Sequence, residues 1–468
     1  MNRPDRSRRR FLKALSSSAT ALGISGGGEW AFAETSRRTR PNVLFLFTDD
    51  QRADTVGALG NPHIQTPNLD RLVESGFVFR NAYCMGGFSA AVCLPSRMMT
   101  LRGRSWFSVR DMPKDAPNFP KSMNAAGYVS YHLGKRGNTD QESHQSFAHN
   151  HYLEPRDIEA LREGRPGRQL ADRSIQFLRD YTQSAEAREG KPFFMYLSGP
   201  APHDPRIAPQ EYLEKYDLDK IPLPPNYLPF HPFDNGEMFI RDEKLAPWPR
   251  TPEEIRKHLR DYYAVITHLD EQIGRVLDTL REIGEYDNTI IIFASDQGIA
   301  IGSHGLMGKQ NLYEHSMRVP LVFSGPGIPR GESSDAFAYL FDVYPTVCDL
   351  VGAEIPASLE GKSLAPIIQG KAKGVRDTIF LAYKDLQRAV RRGRWKLLRY
   401  PQAGVTQLFD LQADPHETKN LADDPAYAGK VEEMTVRMTE QQELFGDAQP
   451  LRVEDANPAE VDLEFFQR

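Results

Sequence analysis

Two pairs of oxygen-bearing side chains stand directly after apolar segments of the chain. Asp49 and Asp50 follow one such segment, and Asp296 and Gln297 follow another. Carboxylate and amide oxygens suit a hard divalent cation such as Ca²⁺ or Mg²⁺ better than Zn²⁺. Adjacent carboxylates are costly to hold in a partly buried site unless a cation compensates their charge. The pairs therefore predict a metal site, and acids in a solvated loop are the alternative.

A longer pattern begins at Cys93, where residues 93–104 read CLPSRMMTLRGR. Cys-x-Pro-Ser-Arg followed by Leu-x-Gly-Arg resembles the signature of the type I sulfatases. The resemblance implies that Cys93 is oxidised to formylglycine, that its hydrated aldehyde is the nucleophile, and that it also binds the metal. It favours Ca²⁺ over Mg²⁺. After attack on a sulfate ester, the hydrate keeps a second hydroxyl, so it can expel sulfate by re-forming the carbonyl.

The metal pairs and the residue one helical turn beyond the cysteine also match this family. Residues 49–52 (DDQR) resemble its first metal motif, and residues 296–298 (DQG) resemble its second. The second motif often has Asn or His in place of Gln297, and glutamine keeps a carbonyl ligand. Arg97 would offer fixed guanidinium donors to the aldehyde hydrate.

Three further basic residues resemble family residues that bind the sulfate group. His203 is implied as the general acid that assists the leaving oxygen, and Lys309 as its electrostatic partner. Lys135 resembles the lysine that clamps sulfate. His304 is a candidate substrate contact, although a loop histidine with no role fits the sequence nearly as well.

One position departs from the family pattern. Two residues after Lys135, where the family usually has a histidine, the chain has Gly137. In the family, that histidine helps to deprotonate the second hydroxyl during sulfate release. The neighbouring Asn138 can hydrogen-bond to the substrate, but it cannot act as a base at neutral pH. Either another group, such as His144 or His132, takes this role, or release is slower.

The elements that must position these residues can also be read from the sequence. Residues 42–48, 193–197 and 289–294 are apolar runs typical of buried strands, and each ends in a polar cluster. Parallel sheets place ligand sites at the carboxyl ends of their strands. Apolar residues recur at helical spacing in segments 69–74, 171–182 and 251–283. This alternation of strands and helices predicts an α/β fold.

The resemblance makes the expected fold more specific: an alkaline-phosphatase-like sandwich with a mostly parallel central sheet flanked by helices. A smaller C-terminal α+β subdomain with an antiparallel sheet is expected from β-prone runs at 378–383, 387–390, 395–400 and 407–411 and a helix at about 425–445. We expect a catalytic domain at 41–370 and the subdomain at 371–468. The Pro-rich segment 221–248 has no sustained period, and it either shapes the substrate pocket or is a tolerated insertion.

Residues 1–33 closely resemble a twin-arginine signal peptide, with the sequence SRRRFLK at 7–13 and a small-residue cleavage site at 31–33. We therefore expect the twin-arginine export machinery as a partner and a periplasmic or secreted location. Because this route exports folded proteins, oxidation of the cysteine by a formylglycine-generating maturation enzyme would be cytoplasmic.

Bulk properties exclude several classes of protein. The net charge of -5 and the pI near 6.2 give no basic footprint for nucleic acid. The cysteines, Cys84, Cys93 and Cys348, are odd in number and too few for a disulfide framework. After the signal, no apolar run approaches the roughly 18 residues that mark a membrane span.

These observations predict a sulfuric ester hydrolase that acts on a sulfate ester, with a sulfated carbohydrate as the expected substrate. Two alternatives stay open. The same anion clamp could serve a phosphate or phosphonate ester hydrolase. Gly137 would also fit a non-catalytic protein that binds sulfated glycans.

Overall fold

The computed structural model describes residues 40–154, 157–457 and 460–467, so the predicted signal peptide at 1–33 lies outside the described residues. The strands of the described part, in chain order, are β1 (Asn42–Thr48), β2 (Phe77–Tyr83), β3 (Gly86–Gly87), β4 (Val129–Gly134), β5 (His149–Tyr152), β6 (Phe193–Ser198), β7 (Thr289–Ser295), β8 (Arg318–Val319), β9 (Leu321–Ser324), β10 (Glu332–Tyr339), β11 (Thr378–Tyr383), β12 (Gln387–Arg392), β13 (Trp395–Tyr400) and β14 (Val405–Asp410).

Helices connect most of these strands. In the same described ranges the α-helices are α1 (Pro67–Glu74), α2 (Cys93–Arg102), α3 (Trp106–Val109), α4 (Phe119–Ala125), α5 (Gln141–His144), α6 (Ile158–Arg162), α7 (Gly167–Thr182), α8 (Ala185–Arg188), α9 (Gln210–Leu213), α10 (Pro252–Glu282), α11 (Glu314–Met317), α12 (Val343–Leu350), α13 (Ala365–Ile368) and α14 (Ala428–Phe445). No helix among these residues combines the length and apolar character that crossing a bilayer requires.

The larger sheet has nine strands in the described part, in the order β10-β2-β9-β7-β1-β6-β4-β5, with β8 paired to β2. Strands β7, β1, β6, β4 and β5 run parallel, whereas β9 is antiparallel to both β7 and β2. One core cluster packs α1, α7 and α10 on one face, and another packs α2, α4 and α12 on the opposite face. The predicted α/β sandwich with a mostly parallel sheet is confirmed.

The central strand β1 shows why its sequence is apolar without interruption. Val43, Phe45 and Phe47 point into one core cluster, whereas Leu44 and Leu46 point into the other. Successive side chains of a strand face opposite sides of the sheet, so a strand covered on both sides buries every residue. The polar residues that follow β1 therefore begin where the core ends.

The smaller sheet has the order β14-β13-β12-β11-β3, and β11 to β14 form the predicted antiparallel arrangement. Its fifth strand, β3, was not foreseen, because it precedes Cys93 and pairs in parallel with β11. A side chain at Gly86 would place Cβ 2.2 Å from the carbonyl oxygen of Ala382, so only glycine permits this approach. The C-terminal sheet is thus joined to the segment that leads into α2. The domain boundaries at 370 and 371 stay predictions.

The C-terminal elements differ from the expected ones only at their ends. The strand expected at 387–390 extends as β12 to Arg392, and the strand expected at 407–411 is β14, Val405–Asp410. The helix expected at about 425–445 begins with a 3-10 turn, Pro425–Tyr427, before α14.

Helix α10 is capped at its amino end by Thr251, whose hydroxyl accepts a hydrogen bond from the Glu254 N–H at 3.3 Å. We expect Thr251→Ala to lower the free energy of unfolding by about 1 kcal/mol, since it leaves this N–H without a partner. Thr251→Ser keeps the oxygen and should lose far less. Denaturant unfolding of the three chains measures the difference, and equal losses in both variants would argue against the cap.

Candidate active site

The carboxyl ends of β1 and β7 bring the two predicted acidic pairs together. The backbone N–H of Asp50 donates to Asp296 Oδ1 at 3.0 Å. Asp50 has a left-handed backbone with φ of 64°, which is uncommon for a residue other than glycine. Tyr262 of α10 supports this turn, since its hydroxyl donates to the Asp50 carbonyl at 2.5 Å and accepts the Arg52 N–H at 2.9 Å.

Cys93 is the first residue of α2, and its side chain lies fully buried against both aspartates of the first pair. The thiol donates to Asp49 Oδ1 at 3.2 Å, and Sγ lies 3.7 Å from Asp50 Oδ1. Lys309 Nζ and Gln297 Nε2 approach the same sulfur at 3.2 and 3.4 Å. Segments far apart in sequence therefore converge at position 93.

The next turn of α2 joins the cysteine to the second acidic pair. Arg97 Nε donates to Asp296 Oδ2 at 3.0 Å, and Arg97 Nη2 lies 3.5 Å from Asp49 Oδ2. The hydroxyl of Ser96 donates to the Asp296 carbonyl at 2.6 Å. The Arg97 guanidinium also lies over the ring of Phe47, so it is held on several sides.

Two lysines complete the ring of cations around the aspartates. Lys135, directly after β4, pairs with Asp49, and Lys309 Nζ lies 2.8 Å from both carboxylate oxygens of Asp50. Burial opposes ionisation of Asp49, but the charges of Lys135 and Arg97 hold its pKa well below its usual range. Burial and the neighbouring Asp49 carboxylate raise the pKa of Asp296 to about 7. The three carboxylates of the cluster therefore lie against three basic side chains.

The donor set fits a hard cation. Ligand atoms of Asp49, Asp50, Cys93 and His203 all lie within 4.8 Å of one another. The Oε1 atom of Gln297 is buried and has no hydrogen-bond partner among the described residues. A group of carboxylate and amide oxygens suits Ca²⁺ or Mg²⁺, for which the imidazole of His203 would be a poor ligand. In formylglycine, oxygen would take the place of the sulfur of Cys93.

His203 follows β6 and faces this cluster with one ring nitrogen. Its Nδ1 lies 2.8 Å from the Asp204 backbone carbonyl and 3.2 Å from Asp204 Oδ1. Both atoms only accept hydrogen bonds, so Nδ1 carries a proton and donates it. Nε2 lies 3.7 Å from Asp50 Oδ2. Burial lowers the pKa of His203, although the nearby Asp50 carboxylate opposes this effect.

The two proposed substrate contacts, Asn138 and His304, differ in their surroundings. Asn138 is exposed, and His304 is buried with its ring stacked 3.9 Å from the ring of Tyr313. Within the described ranges, neither forms a hydrogen bond or ion pair with a cluster side chain. His304 is instead anchored by its backbone N–H, which donates to the Asn226 carbonyl at 2.7 Å.

His132 and His144, which were considered as substitutes for the family histidine missing at Gly137, are packed against each other in the interior. Their ring centroids lie 4.1 Å apart, and His132 contacts Asn150 through Nδ1 at 2.8 Å and Ser198 through Nε2 at 3.0 Å. Burial and the charge of Arg97 lower the pKa of His144 to about 3. Burial also lowers the pKa of His132 well below its usual range, so each is a weak base at neutral pH, while Gly137 itself is exposed.

Sequence reasoning missed a set of polar residues beside His203. Asp204 was adjacent to a recognised residue and could have been found from its position. Arg241 and Asp242 lie in the segment 221–248, which has no periodicity, and Gln310 follows Lys309. Their contacts join these segments in space, and no pattern in the sequence predicts that pairing.

Comparison with known proteins identifies the family to which this chain belongs. The family profile described as Sulfatase matches residues 41–353. This chain belongs to the sulfatase family. A profile described as the C-terminal region of N-sulphoglucosamine sulphohydrolase matches residues 302–444 of this sulfatase. The fold of this chain and its enzyme class, sulfuric ester hydrolase, agree with the predictions and are confirmed. Sulfatases generally depend on a metal ion and on formylglycine.

Relatives of this sulfatase match along most of their length. An N-acetylglucosamine-6-O-sulfatase of Bacteroides thetaiotaomicron is 28% identical over 88% of each chain. The multifunctional alkaline phosphatase superfamily protein PehA of Trinickia caryophylli is 29% identical over 84% of this chain and 93% of its own. A structure solved in complex with its substrate D-glucosamine-2-N,6-O-disulfate is 25% identical, with a TM-score of 0.72, and covers 89% of this chain and 100% of that one.

Proposed function

We propose that this sulfatase hydrolyses a sulfate ester on a carbohydrate, with formylglycine made from Cys93 as the nucleophile and Ca²⁺ as the cation. The observation that carries the proposal is the burial of Cys93 Sγ within 3.2 Å of both Asp49 Oδ1 and Lys309 Nζ. A carbohydrate substrate is supported by the relatives named for glucosamine sulfates.

Burial raises the pKa of the Cys93 thiol well above its usual range, with the Asp49 carboxylate acting in the same direction. An unmodified cysteine would therefore be a neutral thiol and a weak nucleophile. Formylglycine supplies a hydrated aldehyde, with one hydroxyl to attack sulfur and one to expel the sulfate. Asp49, which already accepts a hydrogen bond from position 93, would accept the proton of the attacking hydroxyl.

Charge stabilisation comes from residues that surround position 93. Lys135 is placed to neutralise sulfate oxygens, and Arg97 holds Asp49 and Asp296 in position. Lys309 is placed to stabilise the negative charge that develops on the leaving oxygen, as the electrostatic partner of His203. Asp49, Asp50, Asp296, Gln297 and the oxygen at position 93 would hold Ca²⁺. When bound, the ion would polarise the sulfate oxygens and lower the pKa of the hydrate.

His203 would act on the leaving group. As the bond between sulfur and the ester oxygen breaks, its electron pair stays on that oxygen, which takes the proton from His203 Nε2. The negative charge of the bound sulfate favours the imidazolium and so opposes the lowering of the His203 pKa by burial.

This role predicts a leaving-group effect for His203→Asn. We expect kcat/KM for a sugar sulfate to fall by about 10²-fold, because an alkoxide leaves poorly without a proton. The loss should be much smaller for 4-nitrophenyl sulfate, since nitrophenolate is a stable anion. Steady-state kinetics on both esters checks this, and an equal loss on both would contradict proton donation.

Peptide mass analysis of the protein from its native host tests the nucleophile. Position 93 should have lost H₂S and gained one oxygen. An unmodified thiol would favour the non-catalytic, glycan-binding alternative. Catalytic efficiencies on aryl sulfate, aryl phosphate and phosphonate esters then test the reaction, with sulfate expected to be preferred. Preference for the phosphorus esters would overturn the assignment.

We also propose export through the twin-arginine route to the periplasm or the medium, after maturation in the cytoplasm. The motif SRRRFLK at residues 7–13 supports this proposal. Fractionation of native host cells tests it, and protein that stays in the cytoplasm with residues 1–33 still attached would contradict it.

A further inference from the structure

Arg241 lies beside the active site at the junction of two carboxylates. Its Nη1 and Nη2 donate to the two carboxylate oxygens of Asp204 at 2.7 and 2.9 Å. Its Nε and Nη2 donate to Asp242 Oδ1 at 2.9 and 2.6 Å. The arginine side chain is 62% exposed, whereas those of Asp204 and Asp242 are 6% and 7% exposed. One surface guanidinium therefore fixes two nearly buried acids.

The first of these acids, Asp204, contacts His203. Asp204 accepts from His203 Nδ1 through its backbone carbonyl at 2.8 Å, and its Oδ1 lies 3.2 Å from the same nitrogen. Arg241 holds this carboxylate at both oxygens, so the imidazole can rotate little without losing a partner. Nε2 is thereby kept on the side that faces Asp50.

The second acid, Asp242, is connected to Lys309 through Gln310. Asp242 Oδ2 accepts from Gln310 Nε2 at 2.8 Å. The other end of that amide, Gln310 Oε1, accepts the backbone N–H of Lys309 at 2.9 Å. The side chain of Lys309 then reaches Asp50 and Cys93. Both residues assigned to the leaving group are thus tied to the same guanidinium.

We propose that Arg241 is a positioning residue that orients His203 through Asp204 and Lys309 through Asp242 and Gln310. The inference rests on the proposed function of this site. Arg241 does not itself react: the proton still passes from His203 Nε2 to the ester oxygen. A planar guanidinium with several donors can hold two carboxylates at once, which a lysine ammonium does less well.

The alternative is that Arg241 has a purely structural role and does not orient His203 or Lys309. Arg241 belongs to segment 221–248 and could simply fasten that segment to the loop after β6. Lys384 offers a matched comparison, because it fastens the same segment to the end of β11 by pairing with Glu237. Each of these basic residues pairs with nearly buried acids, so we expect Arg241→Met and Lys384→Met to fold with comparable losses of stability.

The test compares these two variants on sulfate esters with leaving groups of increasing pKa, from 4-nitrophenyl sulfate to an alkyl or sugar sulfate. For Arg241→Met we expect kcat/KM to fall by about 10-fold or more on the poorest leaving group, because misplaced catalytic groups cost rate. Activity on 4-nitrophenyl sulfate should change much less. Lys384→Met should show no dependence on the leaving group.

Added guanidinium ion should recover part of the lost activity of Arg241→Ala on the poor leaving groups. A uniform loss across all esters, or the same leaving-group trend in Lys384→Met, would overturn the inference while leaving the sulfatase activity intact. Absence of sulfate ester hydrolysis by the unaltered, mature protein would instead overturn the proposed function and this inference with it.

Discussion

Replacing Cys93 with alanine is expected to abolish sulfate ester hydrolysis while the chain stays folded. The variant has neither a thiol nor a precursor of formylglycine, so no nucleophile remains at the centre of the cluster. Removing an enzyme nucleophile commonly lowers kcat by on the order of 10⁴-fold or more. The loss of one buried sulfur should lower the free energy of unfolding by only about 1 kcal/mol.

Cys348→Ala is the matched control for this truncation. Cys348 is also fully buried, but it lies in α12 within the hydrophobic core. We expect a similar loss of stability and nearly full activity. Turnover assays and denaturant unfolding on both variants separate the two effects. Substantial turnover by Cys93→Ala would show that the nucleophile lies elsewhere.

The fold could be predicted because the central strands are buried on both faces. The runs at 42–48, 193–197 and 289–294 are almost entirely apolar, and the structure forms β1, β6 and β7 from them. Parallel strands end at one edge of the sheet, so the polar residues after each run had to meet. Asp50 and Asp296 do so through a direct hydrogen bond.

Helix geometry explains why part of the cluster followed from sequence. Arg97 stands four residues after Cys93 on α2, and residues at this spacing share one face of a helix. Both side chains therefore contact Asp49. The roles of these residues rest on the family resemblance and stay predictions.

Loop geometry explains what the sequence left open. The environment of His304 depends on Tyr313, which lies in the same loop region but stacks on it only after the chain turns. Arg241 lies in a segment without strand or helix periodicity, so its contact with Asp204 depends on tertiary folding alone. The pairing of β3 with β11 likewise joins positions about 300 residues apart, and no local pattern encodes it.

Removing one acidic ligand tests the cation site. Asp296→Asn keeps a carbonyl oxygen but removes one negative charge, and the charge of the ligands strongly affects Ca²⁺ affinity. A catalytic ion supplies several kcal/mol of transition-state stabilisation, and each 1.4 kcal/mol is tenfold in rate. We therefore expect activity to fall by at least about 10³-fold. Chelation of the unaltered protein should have the same effect, and added Ca²⁺ should reverse it.

Stability measurements separate loss of the ion from damage to the cluster. Ca²⁺ at 100 times its Kd should stabilise the unaltered protein by about 2.7 kcal/mol, because it binds only the folded chain. It should stabilise Asp296→Asn much less. Asp54→Asn is the control, since Asp54 pairs with Arg52 and lies half exposed. Like Asp296→Asn it removes one negative charge, but from a residue outside the cluster, so it should keep the full stabilisation by Ca²⁺. If Ca²⁺ stabilised all three chains equally, the aspartates at the ends of β1 and β7 would not be its ligands.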